Sequence, residues 1–137
     1  MAYDDIFSEL EIPERVRMLE QAERRAYKDG DVVVQENARN EHIFAILDGE
    51  VLVILGEGDS AVELASLGVG AIFGEMAFLS HTTASASIIA RGDVELICVG
   101  HDHIANMVDQ DPGFAGRFYR SLACTLAERL RIANQRS

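Results

Sequence analysis

Short apolar runs separated by glycine turns fill the middle of the chain and limit what it can fold into. Seven runs are rich in β-branched and other apolar residues: RRAY, DVVVQ, HIFAIL, EVLVIL, AVELASL, ASASIIA and VELICV. They are cut by DG at Asp29 and Asp48, GEGD at Gly56, GVG at Gly68 and RGD at Arg91. Strands at spacings of roughly ten residues, joined by glycine turns, favour a β-sandwich or a jelly-roll barrel over a βαβ arrangement.

Helical patterns flank this β-rich middle. Before it, 4–10 and 13–23 are typical of short helices, the second beginning at Pro13 with an inner face of Val16, Leu19 and Met18. We expect one domain over residues 1–137, with N-terminal helices in 1–23, the β-structure in 24–99 and C-terminal helices in 100–137.

The C-terminal part contains two predicted helices. Asp102 is placed to cap a turn that runs through Ile104, Met107 and Val108. Asp111 and Pro112 then mark a boundary, because proline disfavours helix at the residue before it and fits the start of a new helix.

The last helix carries an apolar stripe at three- and four-residue steps, formed by Phe114, Phe118, Leu122, Leu126, Leu130 and Ala133. Packing on its own domain is one interpretation of this stripe. Pairing of two subunits is the other, because a terminal helix of this length has apolar surface to spare. We predict a homodimer whose contact includes residues 114–133.

The charge and composition exclude several classes of partner. The chain is 48% hydrophobic, with a net charge of -11 and a pI of about 4.6. Its long-range field has the wrong sign for phosphate backbones and anionic lipid, so we expect no nucleic acid or membrane partner. No apolar run approaches bilayer length and no leader pattern opens the chain, which indicates a cytoplasmic protein. Cys98 and Cys124 are expected as buried free thiols.

The stretch FGEMAFLSHTTASASI, residues 73–88, begins like an anion-binding site. Gly74 follows a strand end and leads into one predicted helical turn, Glu75 to Leu79, whose first backbone N–H groups are free to meet an anion. Met76, Phe78 and Leu79 are predicted as core side chains of this turn. No lysine or arginine occurs between Arg39 and Arg91, so the site lacks a local cation.

The ordered set of motifs resembles the cyclic nucleotide-binding domain, the module of catabolite activator proteins, of cAMP-dependent kinase regulatory subunits and of cyclic-nucleotide-gated channels. The resemblance covers nearly the whole chain, through IFSEL, YKDGDVVVQEN, HIFAILDGEVLV, FGEMAFLS, VELICVGHDHIANMVDQDP and LAERLRIAN. It implies a mainly β fold, an eight-stranded jelly roll flanked by helices. The ligand-binding cassette would lie between the strands near Ala71 and Ser87.

The resemblance also implies which residues would bind a ligand. Glu75 falls on the family's glutamate, which accepts a hydrogen bond from the ribose 2′-hydroxyl, and Gly74 falls on the glycine that lets the backbone approach it. Ala84 stands where the family has the arginine that binds the cyclic phosphate. The implied ligand-binding set is Gly74, Glu75, Met76, Ala77, Thr83, Ala84 and Ser85.

Loss of that arginine predicts weak or altered ligand binding. A charge-assisted guanidinium–phosphate contact contributes about 1.5–3 kcal/mol. Glu75 without a nearby cation would also make the field of the pocket negative. His81 is expected as an ordinary exposed loop histidine rather than a substitute for the arginine.

Three functional hypotheses follow. The first is a non-catalytic sensor that holds a cyclic nucleotide or another small polar ligand with Glu75, the 74–77 backbone and the hydroxyls of Thr83, Ser85 and Ser87, and moves the C-terminal helix. The second is an interaction module that has lost ligand binding and pairs with itself or with an unknown protein partner through its helices.

The third hypothesis, a metal-dependent cupin-like enzyme, rests on the His-x-His spacing of His101 and His103. It is disfavoured because this pair opens a helix after the last strand. We therefore expect no catalytic residues, no metal site and no required cofactor. Since only four residues follow Ala133, we also expect no helix-turn-helix domain and no measurable affinity for duplex DNA at physiological salt.

Overall fold

Helices at both ends enclose an antiparallel sheet, in the order that the sequence predicts. The computed structural model describes residue 7 and residues 9–136. Its helices are α1 (Ile12–Leu19), α2 (Glu75–Ser80), α3 (His101–Gln110) and α4 (Pro112–Arg136), with a 3₁₀ turn at Gly58–Ser60. Its strands are β1 (Glu23–Tyr27), β2 (Val32–Val34), β3 (His42–Leu55), β4 (Val62–Leu67), β5 (Ile72–Phe73) and β6 (Ser87–Gly100).

Two strands of 14 residues, β3 and β6, form the centre of the sheet. They pair antiparallel from His42 opposite Gly100 to Ile54 opposite Ser87. The sheet order is β1-β6-β3-β4, while β2 also pairs with β6 and β5 also pairs with β3. This antiparallel sheet with flanking helices confirms the predicted fold class.

The glycines within β3 and β6 bend these strands, so the prediction that DG at Asp48 and RGD at Arg91 end strands was wrong. Gly49 and Gly92 have φ values of 85° and 71°, and the register of β3 against β6 shifts on both sides of Asp48. An irregular residue in a paired strand bends it without ending it. The described residues therefore form six strands, two of them long and bent, where eight strands were expected.

Alternation along β3 divides the core into two clusters. Phe44 and Ile46 point into the sheet interior, where they meet Val51, Phe73 and Leu96. Their neighbours point the other way, because successive side chains of a strand face opposite sides. On that side the second cluster joins the sheet to the helices through Ile43, Ala45, Val99, Ile104, Phe114, Phe118 and Leu122.

Helix α1 is shorter than predicted and presents a different face to the core. It ends at Leu19, before β1 begins at Glu23. Its buried residues are Glu14 and Met18, whereas Val16 is 53% exposed. Arg117 of α4 donates from Nε to Glu14 Oε1 at 2.8 Å. This contact holds the Glu14 and Met18 face inward and holds the pKa of Glu14 below its usual value. The predicted helix at 4–10 lies largely outside the described residues.

The boundary between α3 and α4 is found where predicted. Asp111 Oδ1 accepts the Phe114 N–H at 3.1 Å, so Asp111 caps the start of α4. Asp102 lies in the first turn of α3 but does not cap it, because the N-cap residue is Gly100. In the described part of the chain, no helix combines the length and the apolar character needed to cross a membrane.

The two cysteines differ in environment. Cys98 on β6 is buried, and burial raises the pKa of its thiol to about 11. Cys124 on α4 is exposed, so the prediction that both thiols are buried was wrong for it. The distal half of α4 leaves the core after Leu122, which is why an apolar sequence context did not bury Cys124.

The bend at Gly49 yields a stability prediction. A Cβ at Gly49 would lie 2.4 Å from the Asp93 carbonyl oxygen, and positive φ adds strain, so Gly49→Ala should lower the free energy of unfolding by about 3 kcal/mol. Gly30→Ala is the matched control: its φ is 86°, but a Cβ there meets nothing within 4 Å. We expect Gly30→Ala to lower the free energy of unfolding by about 1 kcal/mol. Urea denaturation compares the two, and equal losses would contradict the assignment of Gly49 as a close-contact bend.

Candidate functional site

The cassette helix α2 begins at a glycine that no other residue can replace without rearrangement. Gly74 ends β5 with a φ of 88°. A Cβ on it would lie 2.4 Å from the His42 carbonyl oxygen and 2.8 Å from Nδ2 of Asn40. The chain therefore turns sharply from β5 into α2 against the start of β3, and this close approach positions Glu75 at the first helical residue.

Glu75 is buried and paired with an arginine from the opposite end of the sequence. Its side chain is 2% exposed, and Arg129 of α4 donates from Nη1 to Glu75 Oε1 at 2.7 Å. Arg129 also donates from Nη2 to the carbonyl oxygen of Ile72. The expectation that Glu75 has no nearby cation was therefore wrong. Sequence reasoning missed Arg129 because 54 residues separate the partners and nothing in the local pattern links them.

Six of the seven predicted binding residues line one cavity of about 140 Å³. They are Gly74, Glu75, Met76, Ala77, Ala84 and Ser85, and Arg129 closes the same cavity from α4. Thr83 instead lines a neighbouring cavity with Ala77, Phe78, His81 and His101. The two cavities adjoin, because Ala77 lines both. Of the other predicted residues, Thr83 therefore shares a cavity with Ala77 alone.

The predicted hydroxyl groups are also divided. Ser87 is buried, and its Oγ accepts the backbone N–H of Glu36 at 2.9 Å, so this oxygen already joins β6 to the loop after β2. Of Thr83, Ser85 and Ser87, only Ser85 lines the cassette cavity. Two backbone hydrogen bonds fix the position of Ala84. Its N–H donates to the Ala38 carbonyl oxygen at 2.9 Å, and its carbonyl oxygen accepts from the Asn37 N–H at 2.8 Å.

Exposure within α2 shows which of its apolar residues belong to the core. Phe78 is buried and packs on Phe118, with ring centroids 5.8 Å apart. Met76 and Leu79 are 50% and 38% exposed, so their prediction as core residues was wrong. In a single helical turn only one face meets the sheet and α4, and Phe78 occupies that face.

The histidines near the cassette bond to different elements. His101 Nε2 lies 3.2 Å from the Gly74 carbonyl oxygen, and its ring packs edge-on against Phe78. Burial lowers the pKa of His101. His103 Nε2 lies 3.0 Å from the Arg17 carbonyl oxygen, so the two rings do not converge. Among residue 7 and residues 9–136, no group of three or more histidine, cysteine, aspartate or glutamate side chains could hold a metal ion.

His81 and Ala84 line different cavities. It follows the last residue of the helix in a left-handed conformation, is exposed and lines the cavity that contains Thr83. An imidazole there does not face the cassette cavity. The exposed loop histidine predicted from the sequence agrees with this position.

The buried pair at the cassette yields a second prediction. Arg129→Ala leaves the Glu75 carboxylate buried without its partner, and should lower the free energy of unfolding by about 1–3 kcal/mol. In a Glu75→Gln background the same substitution should cost clearly less, because no buried charge is stranded. Chemical denaturation of the four proteins measures this coupling.

Arg131→Ala is the matched control for that cycle. Arg131 lies on the same helix but pairs with Glu128 on an exposed surface, and both side chains are more than half exposed. Its removal should change stability by less than about 0.5 kcal/mol. Equal losses for Arg129→Ala with and without the Glu75 carboxylate would show that the contact is energetically unimportant.

Comparison with known proteins places this geometry among related domains. The chain is 35% identical over 129 residues to glutaminase 2 of Bradyrhizobium diazoefficiens, an alignment that covers 94% of this chain and 20% of that protein. It is 31% identical over 124 residues to the cyclic AMP receptor protein of Thermus thermophilus, covering 89% of this chain and 56% of that protein. The chain thus spans about a fifth and about half of these relatives.

Solved structures agree with the sequence relatives. The crystal structure of the Thermus thermophilus catabolite activator protein superposes with a TM-score of 0.77 at 29% identity, covering 96% of this chain and 60% of that one. A cyclic nucleotide-binding domain from Methylobacillus flagellatus gives a TM-score of 0.84 at 22% identity, covering 97% and 83%. The sequence model described as the cyclic nucleotide-binding domain matches residues 24–111. The chain belongs to the cyclic nucleotide-binding domain family.

Proposed function

We propose that this chain is a non-catalytic regulatory domain that binds a cyclic nucleotide, or another small polar ligand, weakly and communicates occupancy through α4. The contact between Arg129 and Glu75 is the observation that carries this proposal. It joins Glu75, to which the resemblance assigns ribose recognition, to the C-terminal helix α4. A ligand that engages Glu75 therefore acts on a side chain that also fixes the position of α4.

The size of the cassette cavity supports this coupling. At about 140 Å³ it is smaller than the roughly 300 Å³ at which small-molecule sites begin. Arg129 forms one wall, and residues beyond Leu122 are half-buried or exposed. A nucleotide that enters the cavity must displace the guanidinium or move α4 with it. By thermodynamic linkage, a ligand that binds more tightly when α4 is displaced also shifts α4 toward its displaced position.

The position of the cations supports weak binding. The resemblance assigns Ala84 to the position of the family's phosphate-binding arginine. Within the described residues, Arg129 is the only lysine or arginine that lines the cavity. Its guanidinium is already engaged by Glu75 and the Ile72 carbonyl. A ligand phosphate therefore finds no uncommitted positive charge at the start of α2. The binding free energy lost with the missing guanidinium–phosphate contact is about 1.5–3 kcal/mol.

The proposed role is regulatory even though one relative is a glutaminase. That alignment covers a fifth of the enzyme, so the enzyme's activity is not carried over to this chain. In this proposal the domain acts in the cytoplasm and does not bind duplex DNA, in keeping with its net charge of -11.

Restoring the missing cation tests the ligand-binding role. Ala84→Arg should raise the affinity for cAMP or cGMP at least tenfold, because it supplies a guanidinium beside the helix-start amides and Glu75. Calorimetric titration of both proteins at the same salt concentration measures the change. Adding Glu75→Ala to the variant should abolish the gain.

Thr83→Arg is the matched control, because it adds the same charge one residue away but in the neighbouring cavity. It should leave the affinity unchanged. If Ala84→Arg folds and binds no better than the original protein, ligand sensing is wrong and the interaction module becomes the better hypothesis.

A dimerisation role is the second candidate, and the exposed surface of α4 favours it. Positions spaced alternately by three and four residues form a seam on this helix: Gly116, Tyr119, Ala123, Leu126, Leu130 and Ala133. Leu130 is 63% exposed and Tyr119 is 42% exposed. The buried residues Phe114, Phe118 and Leu122 occupy a different face, so the stripe predicted from the sequence divides into a core half and an exposed half. A 3,4-spaced apolar seam is typical of paired helices.

The dimer prediction is tested on that seam. The protein should sediment as a homodimer at micromolar concentration, and Leu130→Glu should shift it to monomer, because it places a charge in the seam. Ile132→Glu is the control, since Ile132 is also exposed, at 41%, but lies off the seam. A monomer at high micromolar concentration, or equal effects of both substitutions, would rule out pairing through this seam.

A further inference from the structure

His101, the first residue of α3, joins that helix to the start of the cassette. Its Nε2 lies 3.2 Å from the carbonyl oxygen of Gly74, the residue that precedes α2. A carbonyl oxygen can only accept a hydrogen bond, so Nε2 is a nitrogen that carries a proton. Burial lowers the pKa of His101, so the ring is neutral at neutral pH and has one N–H donor. That donor is directed at Gly74.

Two further contacts hold His101 in place. Its backbone N–H donates to the Glu41 carbonyl oxygen at 2.8 Å, which fixes the start of α3 to the start of β3. Its ring packs edge-on against Phe78 of α2 with ring centroids 5.3 Å apart, and Phe78 in turn packs on Phe118 of α4. A donor whose side chain is held by packing keeps its direction when no ligand is bound.

The Gly74–Glu75 peptide needs such a donor, because glycine leaves its orientation open. Glycine has access to more backbone conformations than any other residue, and Gly74 has a φ of 88°. A second donor, Nδ2 of Asn40, lies 3.5 Å from the Gly74 oxygen and makes a shorter bond, of 2.8 Å, to the His42 carbonyl oxygen. His101 therefore makes the shorter of these two side-chain contacts to the Gly74 oxygen.

The orientation of that peptide determines how Glu75 enters the cassette cavity. A peptide unit is planar, so fixing the direction of the Gly74 carbonyl also fixes the bond that leads to the Cα of Glu75. The carboxylate of Glu75 is held by Arg129. Glu75 is thus held at its backbone by α3 and at its carboxylate by α4. A ligand at the carboxylate meets Arg129, which lines the same cavity, whereas His101 lines the neighbouring one.

We propose that His101 is a positioning residue for the cassette, because its bond to the Gly74 carbonyl oxygen holds Glu75 in the orientation in which a ribose hydroxyl would meet the carboxylate. This inference deepens the function proposed above and rests on it for the ligand. The orientation of Glu75 is a property of the protein alone and is tested separately. The sequence pattern connects His101 only with a metal site, whereas this bond gives it a role that needs no metal.

His101→Gln and His101→Asn form the matched pair of variants. Both replace the ring by an amide and lose its packing on Phe78, but only the longer glutamine side chain places an N–H group near the position of Nε2. In the Ala84→Arg background, calorimetric titration with cAMP and cGMP should give an affinity about fivefold lower for His101→Asn. The affinity of His101→Gln should stay within about twofold of the background. Equal affinities of the two variants would overturn the proposal.

His103→Asn is the control on the same helix. His103 Nε2 contacts the Arg17 carbonyl oxygen of α1, so this substitution removes the same kind of bond at a distance from the cassette. It should leave the affinity for both nucleotides within about twofold of the Ala84→Arg background. A loss equal to that of His101→Asn would show that any disturbance of α3 weakens binding, and would overturn the specific role of His101.

The residual dipolar coupling of the Glu75 N–H measures the peptide orientation directly and without a nucleotide. Compared with the original protein, His101→Asn should change this coupling while the amides of β3 and β6 keep theirs, and His101→Gln should preserve it. An unchanged Glu75 coupling in His101→Asn would overturn the proposal whether or not a nucleotide binds. If Ala84→Arg binds neither nucleotide but the coupling changes as expected, the ligand-binding function fails and the positioning of Glu75 by His101 stands.

Discussion

The antiparallel pairing of β3 with β6 determines where the other strands and the cassette helix α2 lie. The two strands pair over nearly their whole length, and β1, β2, β4 and β5 all attach to one or the other. Their bends at Gly49 and Gly92 turn a long ribbon into the curved sheet that encloses Phe44 and Ile46. Because α2 enters directly from β5, and β5 is bonded to the start of β3, the same pairing places Glu75 beside the cassette cavity.

A buried carboxylate at that position requires a partner, and the partner comes from α4. An unpaired carboxylate charge at 2% exposure would be costly, and the fold offsets this cost by supplying a cation. In many family members the cassette contains its own arginine, which the resemblance assigns to the position of Ala84. Here the cation that lines the cavity comes from Arg129, on a helix whose distal half has little other burial. The charge balance of the site and the position of the helix are therefore linked.

The sequence predicted the fold well because the decisive signals were local. Alternating strands, glycine turns and the motifs around Gly74 all act over a few residues, and the structure has the predicted order of helix, sheet and helix. Errors occurred where tertiary contacts decide the outcome. Val16 is exposed because Glu14 is held inward by Arg117, and Thr83 lines a different cavity from Ala84. The role of Arg129 was missed for the same reason.

The proximal half of α4 is held by apolar packing and the distal half by polar contacts. This difference limits how the cassette can act on the helix. The proximal half is fixed by Phe114, Phe118 and Leu122, each at most 1% exposed, so moving it would open the core. The distal half is joined to the cassette by the hydrogen bonds that Arg129 donates to Glu75 and to the Ile72 carbonyl oxygen, and the energy of each is comparable with that of a ligand hydrogen bond. Any movement driven from the cassette therefore concentrates beyond Leu122. That segment also contains Leu130 of the exposed seam, so in the proposed mechanism ligand binding at the cassette would act on the same part of α4 that carries the seam.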